Sequence, residues 1–144
     1  MTGPYLDTSA LAKWYLNEPG SEQFERFLLD QPKGEISRLT TVEFRCALAR
    51  RRRAEEITPS IEQAAFRLFL DDVAGGWLTV HPLADDHAHH ALSLVERLEA
   101  HSLQSLDALH LAIAEAIGVE TLATADRVMA RAAEEMGFGV ALFG

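Results

Sequence analysis

Short apolar runs alternate with longer helical patterns along the whole chain, and this alternation constrains the fold more than any other feature. Runs at Pro4–Leu6, Glu35–Ser37, Leu78–Leu83, Val119–Ala123 and Val140–Phe143 have the length and bounding residues of strands. Between them lie segments with helical spacing and recognisable ends. Thr8 or Ser9 is expected to cap a helix Ala10–Leu16, which stops at Asn17–Gly20. Ser21 opens a second helix with Phe24, Phe27 and Leu28 on one face. Thr40 or Thr41 begins a long helix to about Arg53, and Thr58–Pro59 another, with Ile61, Ala65, Leu68, Phe69 and Val73 as its inner stripe. Asp85 or Asp86 starts a helix to about Leu98. Leu106–Ile117 and Asp126–Met136 follow, each closed by a glycine, Gly118 and Gly137. Strands separated by helices call for crossover connections and a parallel sheet with helices packed on it. The fold class is therefore α/β, three layers in an α/β/α sandwich, with a central, mostly parallel five-stranded sheet.

The chain has 144 residues, which suits one domain over 1–144. Hydrophobic residues make up 48% and charged residues 24%, proportions of an ordinary globular protein. No apolar run approaches the ~20 residues that a membrane-spanning helix needs. The opening MTGPYLD enters the first strand without the pattern of a secretory signal, so a cytoplasmic location is expected. The one cysteine, Cys46, reads as a small core residue on the apolar face of its helix. Net charge is −9, which argues against a protein that grips nucleic acid through a broad basic surface. It does not argue against an enzyme that handles a phosphodiester through bound metal, and it favours a basic protein partner.

Four acids occupy positions where a strand ends or a helix begins. They are Asp7 in YLDTSAL, Glu43 in TTVEFRCALAR, Asp107 in LDALHLAIA and Asp126 in LATADRVMARA. In open parallel sheets, ligands bind beyond the carboxyl ends of the strands, where strand order reverses. Asp7 follows the first strand, Asp126 the fourth, and Glu43 is expected in the first turn after the second; Asp107 opens the helix leading into the fourth. Brought together, they would form an all-oxygen pocket for a hard cation such as Mg²⁺ or Mn²⁺. Clustered carboxylates repel unless a cation neutralises them, and a bound metal would activate water and polarise a phosphodiester. Asp7, Asp107 and Asp126 are the expected metal ligands, and all four acids are candidates for the catalytic set.

Those same motifs, in that order over almost the full length, resemble the PIN-domain ribonucleases, and in particular the VapC-type toxins of bacterial toxin–antitoxin pairs. The resemblance implies a PIN-like fold and endoribonuclease activity dependent on Mg²⁺ or Mn²⁺. It also implies a homodimer and neutralisation by a small antitoxin. The family's acidic positions match Asp7, Glu43, Asp107 and Asp126; Ser9 and Thr124 match hydroxyl positions that support the acids.

Other constellations point elsewhere. An aspartyl-phosphate enzyme would want a second acid two residues after Asp7, where the chain has Ser9. An inactive PIN-like module that only binds a partner is the principal alternative to a nuclease. His81, His87, His89 and His90 invite a zinc reading, but no cysteine accompanies them and a solvated helix start accounts for them. His110, one turn after Asp107, reads as packing as readily as a pocket residue. Arg50–Arg53 reads as a solvated helix end favoured by the helix dipole, with an RNA-backbone contact as the alternative. Trp14, Tyr15, Leu16, Phe24 and Phe27 form an apolar group that is partly core and partly a candidate groove for a partner helix.

Overall fold

The expected alternation closes into a single sheet in the computed structural model, which describes residues 2–144. In chain order the elements are β1 (Tyr5–Leu6), α1 (Thr8–Tyr15), α2 (Ser21–Leu29), β2 (Gly34–Ser37), α3 (Arg38–Arg53) and α4 (Pro59–Ala74). They continue as β3 (Leu78–His81), α5 (Asp85–Arg97), α6 (Ser105–Ile117), β4 (Thr121–Thr124), α7 (Arg127–Met136) and β5 (Gly139–Leu142). The strands run in the order β3-β2-β1-β4-β5 and every pairing is parallel.

The two residues of β1 divide the core, because successive side chains of a strand point to opposite faces. Leu6 enters a cluster with Leu11, Phe24, Phe44 and Phe69 under α1–α4. Tyr5 enters another with Leu94, Leu111 and Met129 under α5–α7. The result is the three-layer α/β/α arrangement. Thr58 caps α4 by accepting from Ile61 N–H at 3.1 Å. Gly118 and Gly137 stop α6 and α7 at φ of 84° and 98°, where a side chain would be strained.

Several local expectations shift. Helix α1 begins at Thr8, with Asp7 at its N-cap position, so neither Thr8 nor Ser9 is the cap. Helix α3 begins at Arg38 rather than after Thr40 or Thr41, because Ser37 takes the capping position and its N–H meets Thr40 Oγ1 at 3.1 Å. Glu43 thereby lies in the second turn, not the first. Strand β3 stops at His81, since Pro82 has no N–H to donate, and Leu83 is exposed. Strand β4 runs two residues later at its start than Val119 and gains Thr124 at its end.

Two helical faces also differ from the expected ones. On α4, Ile61 and Leu68 face solvent, and the buried stripe is Glu62, Ala65 and Phe69. A glutamate can lie there because Arg45 and Arg52 of α3 reach it at 2.9 and 2.8 Å. On α3, Cys46 is exposed rather than core; Phe44, Ala47 and Leu48 take the inner face. The apolar group around Trp14 is not an open groove. Trp14 stacks on Trp77 with centroids 5.2 Å apart, Tyr15 packs on Phe44 and Phe69, and Phe24 and Phe27 both meet Phe143.

Candidate active site

Strand order reverses between β1 and β4, and the two carboxyl ends meet there through Asp7 N–H donating to Ala123 O at 2.9 Å. Asp7 leaves β1 at this seam and is buried, 7% exposed. Its Oδ2 accepts from Ser9 Oγ and from Thr124 Oγ1, both at 2.8 Å. Those hydroxyls are themselves held: Ser9 Oγ accepts from Ala125 N–H at 2.9 Å, and Thr124 Oγ1 from Asp126 N–H at 3.0 Å. Ser9 and Thr124 thus tie the ends of two strands to one carboxylate.

Glu43 comes to the same place from α3, Asp107 from the first turn of α6 and Asp126 from the N-cap of α7. All four acids line one cavity of about 500 Å³. Each spends one oxygen on the protein. Glu43 Oε1 accepts from Thr8 Oγ1 at 2.7 Å and from His110 Nε2. Asp107 Oδ2 accepts from Gln104 N–H at 3.2 Å. Asp126 Oδ1 accepts from Val128 and Met129 N–H at 2.8 and 3.2 Å, a helix cap in full. The other oxygen of each acid has no hydrogen-bond donor among the described residues. Capping and site roles therefore coexist in one side chain.

Behind Glu43 lies His110, 1% exposed. Its Nε2 faces Glu43, and its Nδ1 lies 2.7 Å from Tyr5 Oη, which donates onward to Ser37 Oγ at 3.0 Å. With the phenol proton given to Ser37, the phenol oxygen is free to accept from Nδ1–H while Nε2–H points at Glu43, the pattern of an imidazolium. Burial alone would lower the His110 pKa. The Glu43 hydrogen bond and the charges of Asp7, Glu43 and Asp107 outweigh it and raise the pKa. Glu43 responds in the opposite sense: burial would raise it, but the His110 bond and charge, Thr8 and Arg50 together hold it below the usual carboxylate range. Asp107 is pushed up, first by burial and then by the charges of Asp126 and Asp7, against the pull of Gln104 N–H.

A site with one acid pushed up by burial and by its neighbours' charge, and three unsatisfied oxygens beside it, suits a divalent cation. Asp7, Glu43 and His110 each offer a ligand atom within 4.8 Å of the others, whereas Asp107 and Asp126, expected as ligands, line the same cavity without joining that close group. With its Nε2 turned to Glu43, His110 braces a donor from behind. The spacing of Asp107 and His110, one helical turn apart, was the only sequence signal for it; Thr8 and Tyr5 gave none. The histidines near α5 do not gather. His81 meets Glu35, His87 accepts from Ala84 N–H, His89 lies beside Asp85, and His90 meets Glu115.

The molecule is a parallel α/β sandwich with carboxylates gathered at its switch point, where such sheets bind ligands. Residues 5–135 match the PIN domain family model, and the chain belongs to that family. No curated protein matches the sequence. Among solved structures it is similar to VapC20 of Mycobacterium tuberculosis, described as a sarcin-ricin loop cleaving toxin, with a TM-score of 0.72 and 18% identity over 93% of this chain and 95% of that one. It is also similar to VapBC2 of Rickettsia felis bound to a promoter DNA fragment, with TM-score 0.66 and 16% identity over 97% and 98%. DNA-bound VapBC of Salmonella typhimurium gives TM-score 0.63 and 21% identity over 98% of both chains. At these identities the likeness is one of fold.

Proposed function

We propose that this protein is a metal-dependent endoribonuclease and the toxin of a toxin–antitoxin pair, acting in the cytoplasm. One observation carries the reading: four acids from four separate elements line one cavity, each with an oxygen left unbonded by the protein. Asp7, Asp107 and Asp126 would hold Mg²⁺ or Mn²⁺, with Glu43 as a further ligand or a group that positions water. When bound, such an ion supplies Lewis acidity toward a phosphodiester and activates water at neutral pH. The chain's own residues set the geometry. Ser9 and Thr124 orient Asp7, and His110 with Thr8 orients Glu43. No side chain at the site is an obvious general base among the described residues, so water activated by the ion would be the nucleophile.

RNA as substrate is supported by membership of the PIN family and by the described activity of the M. tuberculosis neighbour. The neighbours that are complexes of two proteins support a small cognate antitoxin, and an acidic cavity in a chain of net charge −9 suits a basic segment of that partner. A homodimer is part of the same proposal. No helix among the described residues is long and apolar enough to cross a membrane.

The deciding experiment incubates pure protein with total RNA, with and without Mn²⁺, beside an Asp7→Asn variant of matched melting temperature. Cleavage that requires both the metal and Asp7 supports the proposal. A folded wild type that binds an antitoxin-like peptide but cuts no RNA would instead make it a binding module.

A further inference from the structure

The cavity has two unlike walls. One is the acidic floor; the other is the outer face of α3, with Val42, Cys46 and Arg50, joined by Leu106 of α6. Val42 is 62% exposed and Leu106 45% exposed, so this side is open apolar surface. Helix α3 carries a crowd of arginines, but the structure separates them. Arg45 and Arg52 are committed to Glu62, and Arg51, which also lines the cavity, to Glu18 at 3.2 Å. Arg53 has no ion pair among the described residues but does not line the cavity. Arg50 lines it and has no ion pair or side-chain hydrogen bond among the described residues.

Arg50 lies seven residues beyond Glu43 on the same helix, about 10 Å along its axis at ~1.5 Å per residue. It is therefore a fork of donors at the mouth of a cavity whose floor repels anions. An RNA strand approaching that floor needs a local cation, since a chain of net charge −9 offers no general attraction. Resting on the endoribonuclease reading above, we infer that Arg50 holds a backbone phosphate of single-stranded RNA beside the bond to be cut. Val42 and Leu106 give the adjoining base an apolar seat. Guanidinium suits this task because its planar fork can bond two phosphate oxygens at once. Single-stranded RNA suits it because unpaired bases can be splayed onto protein surface. Within the cluster, Arg45, Arg51 and Arg52 are thus struts that hold α3 in place, and Arg50 is the residue for substrate.

The test measures steady-state cleavage of a short single-stranded RNA in Mn²⁺ by wild type, Arg50→Gln, Arg50→Lys and Arg53→Gln. Binding of the same RNA to each substitution in an Asp7→Asn background is followed by fluorescence anisotropy across a salt series. Loss of a charge-assisted phosphate bond should raise KM and Kd about tenfold or more in Arg50→Gln with kcat little changed. The salt slope should fall by about 0.7, one phosphate contact on a single strand. Arg50→Lys should recover part of the affinity, and Arg53→Gln should match its parent. If Arg50→Gln matches wild type, or Arg53→Gln loses as much, Arg50 has no such role although the nuclease reading stands. If wild type neither cuts nor binds RNA, that reading fails and this inference with it.

Discussion

Among the glutamate–histidine pairs of the described residues, two have a buried member, and these two are built in opposite senses. Glu35 of β2 is buried, 1% exposed, and its partner His81 is the half that reaches solvent. Glu35 uses both oxygens inside the protein: Oε1 meets His81 Nε2 at 2.8 Å, and Oε2 accepts from Gly3 N–H at 2.9 Å with Lys33 nearby. In the second pair His110 is buried and Glu43 faces the cavity, with both its protein contacts on Oε1. A carboxylate with every acceptor filled pins one segment to another, here the start of β1 to β2 and β3. A carboxylate gripped by one oxygen and braced from behind presents the other to whatever enters. Pairing alone says nothing about role; the direction of exposure does.

The sharpest break in this comparison is catalytic. Glu43→Gln should lower RNA cleavage about a hundredfold or more, as expected when an acid positioned at the chemistry is neutralised. Glu35→Gln should leave the cleavage rate of the folded protein within a few-fold. Comparable losses in two equally folded variants would mean that the pairs do not differ in function.

Stability should divide the pairs the other way. Glu35→Ala and His110→Ala each strip a buried polar partner, and urea titration should show about 3 kcal/mol lost in each. Glu43→Gln should cost less, about 1 kcal/mol, because its free oxygen is solvated. A large loss for Glu43→Gln with none for His110→Ala would reverse the assignment.

This division was only half legible in the sequence. The alternation of runs sufficed for five strands and a parallel sheet, because period and punctuation are local. The four acids could be placed at one end of the sheet because Asp7 and Asp126 adjoin strand ends and Glu43 was expected in the first turn after β2. What the sequence withheld depends on rotation and distance. The packing of α3 buries Phe44, Ala47 and Leu48 and leaves Cys46 and Val42 outward, on the cavity wall. Trp14 is covered by Trp77, far along the chain, so its helix showed an apolar face with no visible partner. His110 meets Tyr5 and Glu43 across long stretches of sequence, and its neighbours Leu109 and Leu111 made packing an equal reading. Glu62 is enclosed by two arginines from the preceding helix, a pairing that no local pattern announces.

Metal should sharpen the contrast by a smaller amount. A cation that binds only the folded state stabilises it by mass action, about 2.7 kcal/mol at a hundred times its Kd. Mn²⁺ should therefore raise the melting temperature of wild type by several degrees and of Arg53→Gln equally, while Asp7→Asn responds much less. An equal rise in Asp7→Asn would place the metal outside this cavity.

The smallest effect is on pH, and its sign follows from the groups at the cavity. In chelated buffer the raised His110 pKa means that the folded protein holds this proton more tightly than the unfolded chain does. The stabilisation is fully present below the ordinary histidine value, near 6.5, and fades as pH rises through the folded pKa. Asp107, also raised, adds a loss that begins above the ordinary aspartate value. Glu43, held low, contributes above the ordinary glutamate value and loses that only as pH falls through its folded pKa. His110→Gln removes the first of these and, by removing the imidazolium charge, also relaxes Glu43, while keeping a donor in place for it. Its stability deficit relative to wild type should be greatest between about pH 5 and 6.5 and should narrow as pH rises further. Urea unfolding of both proteins across that range reads the difference directly. A deficit that widens with rising pH would mean that His110 is neutral in the fold and braces Glu43 by a hydrogen bond without charge.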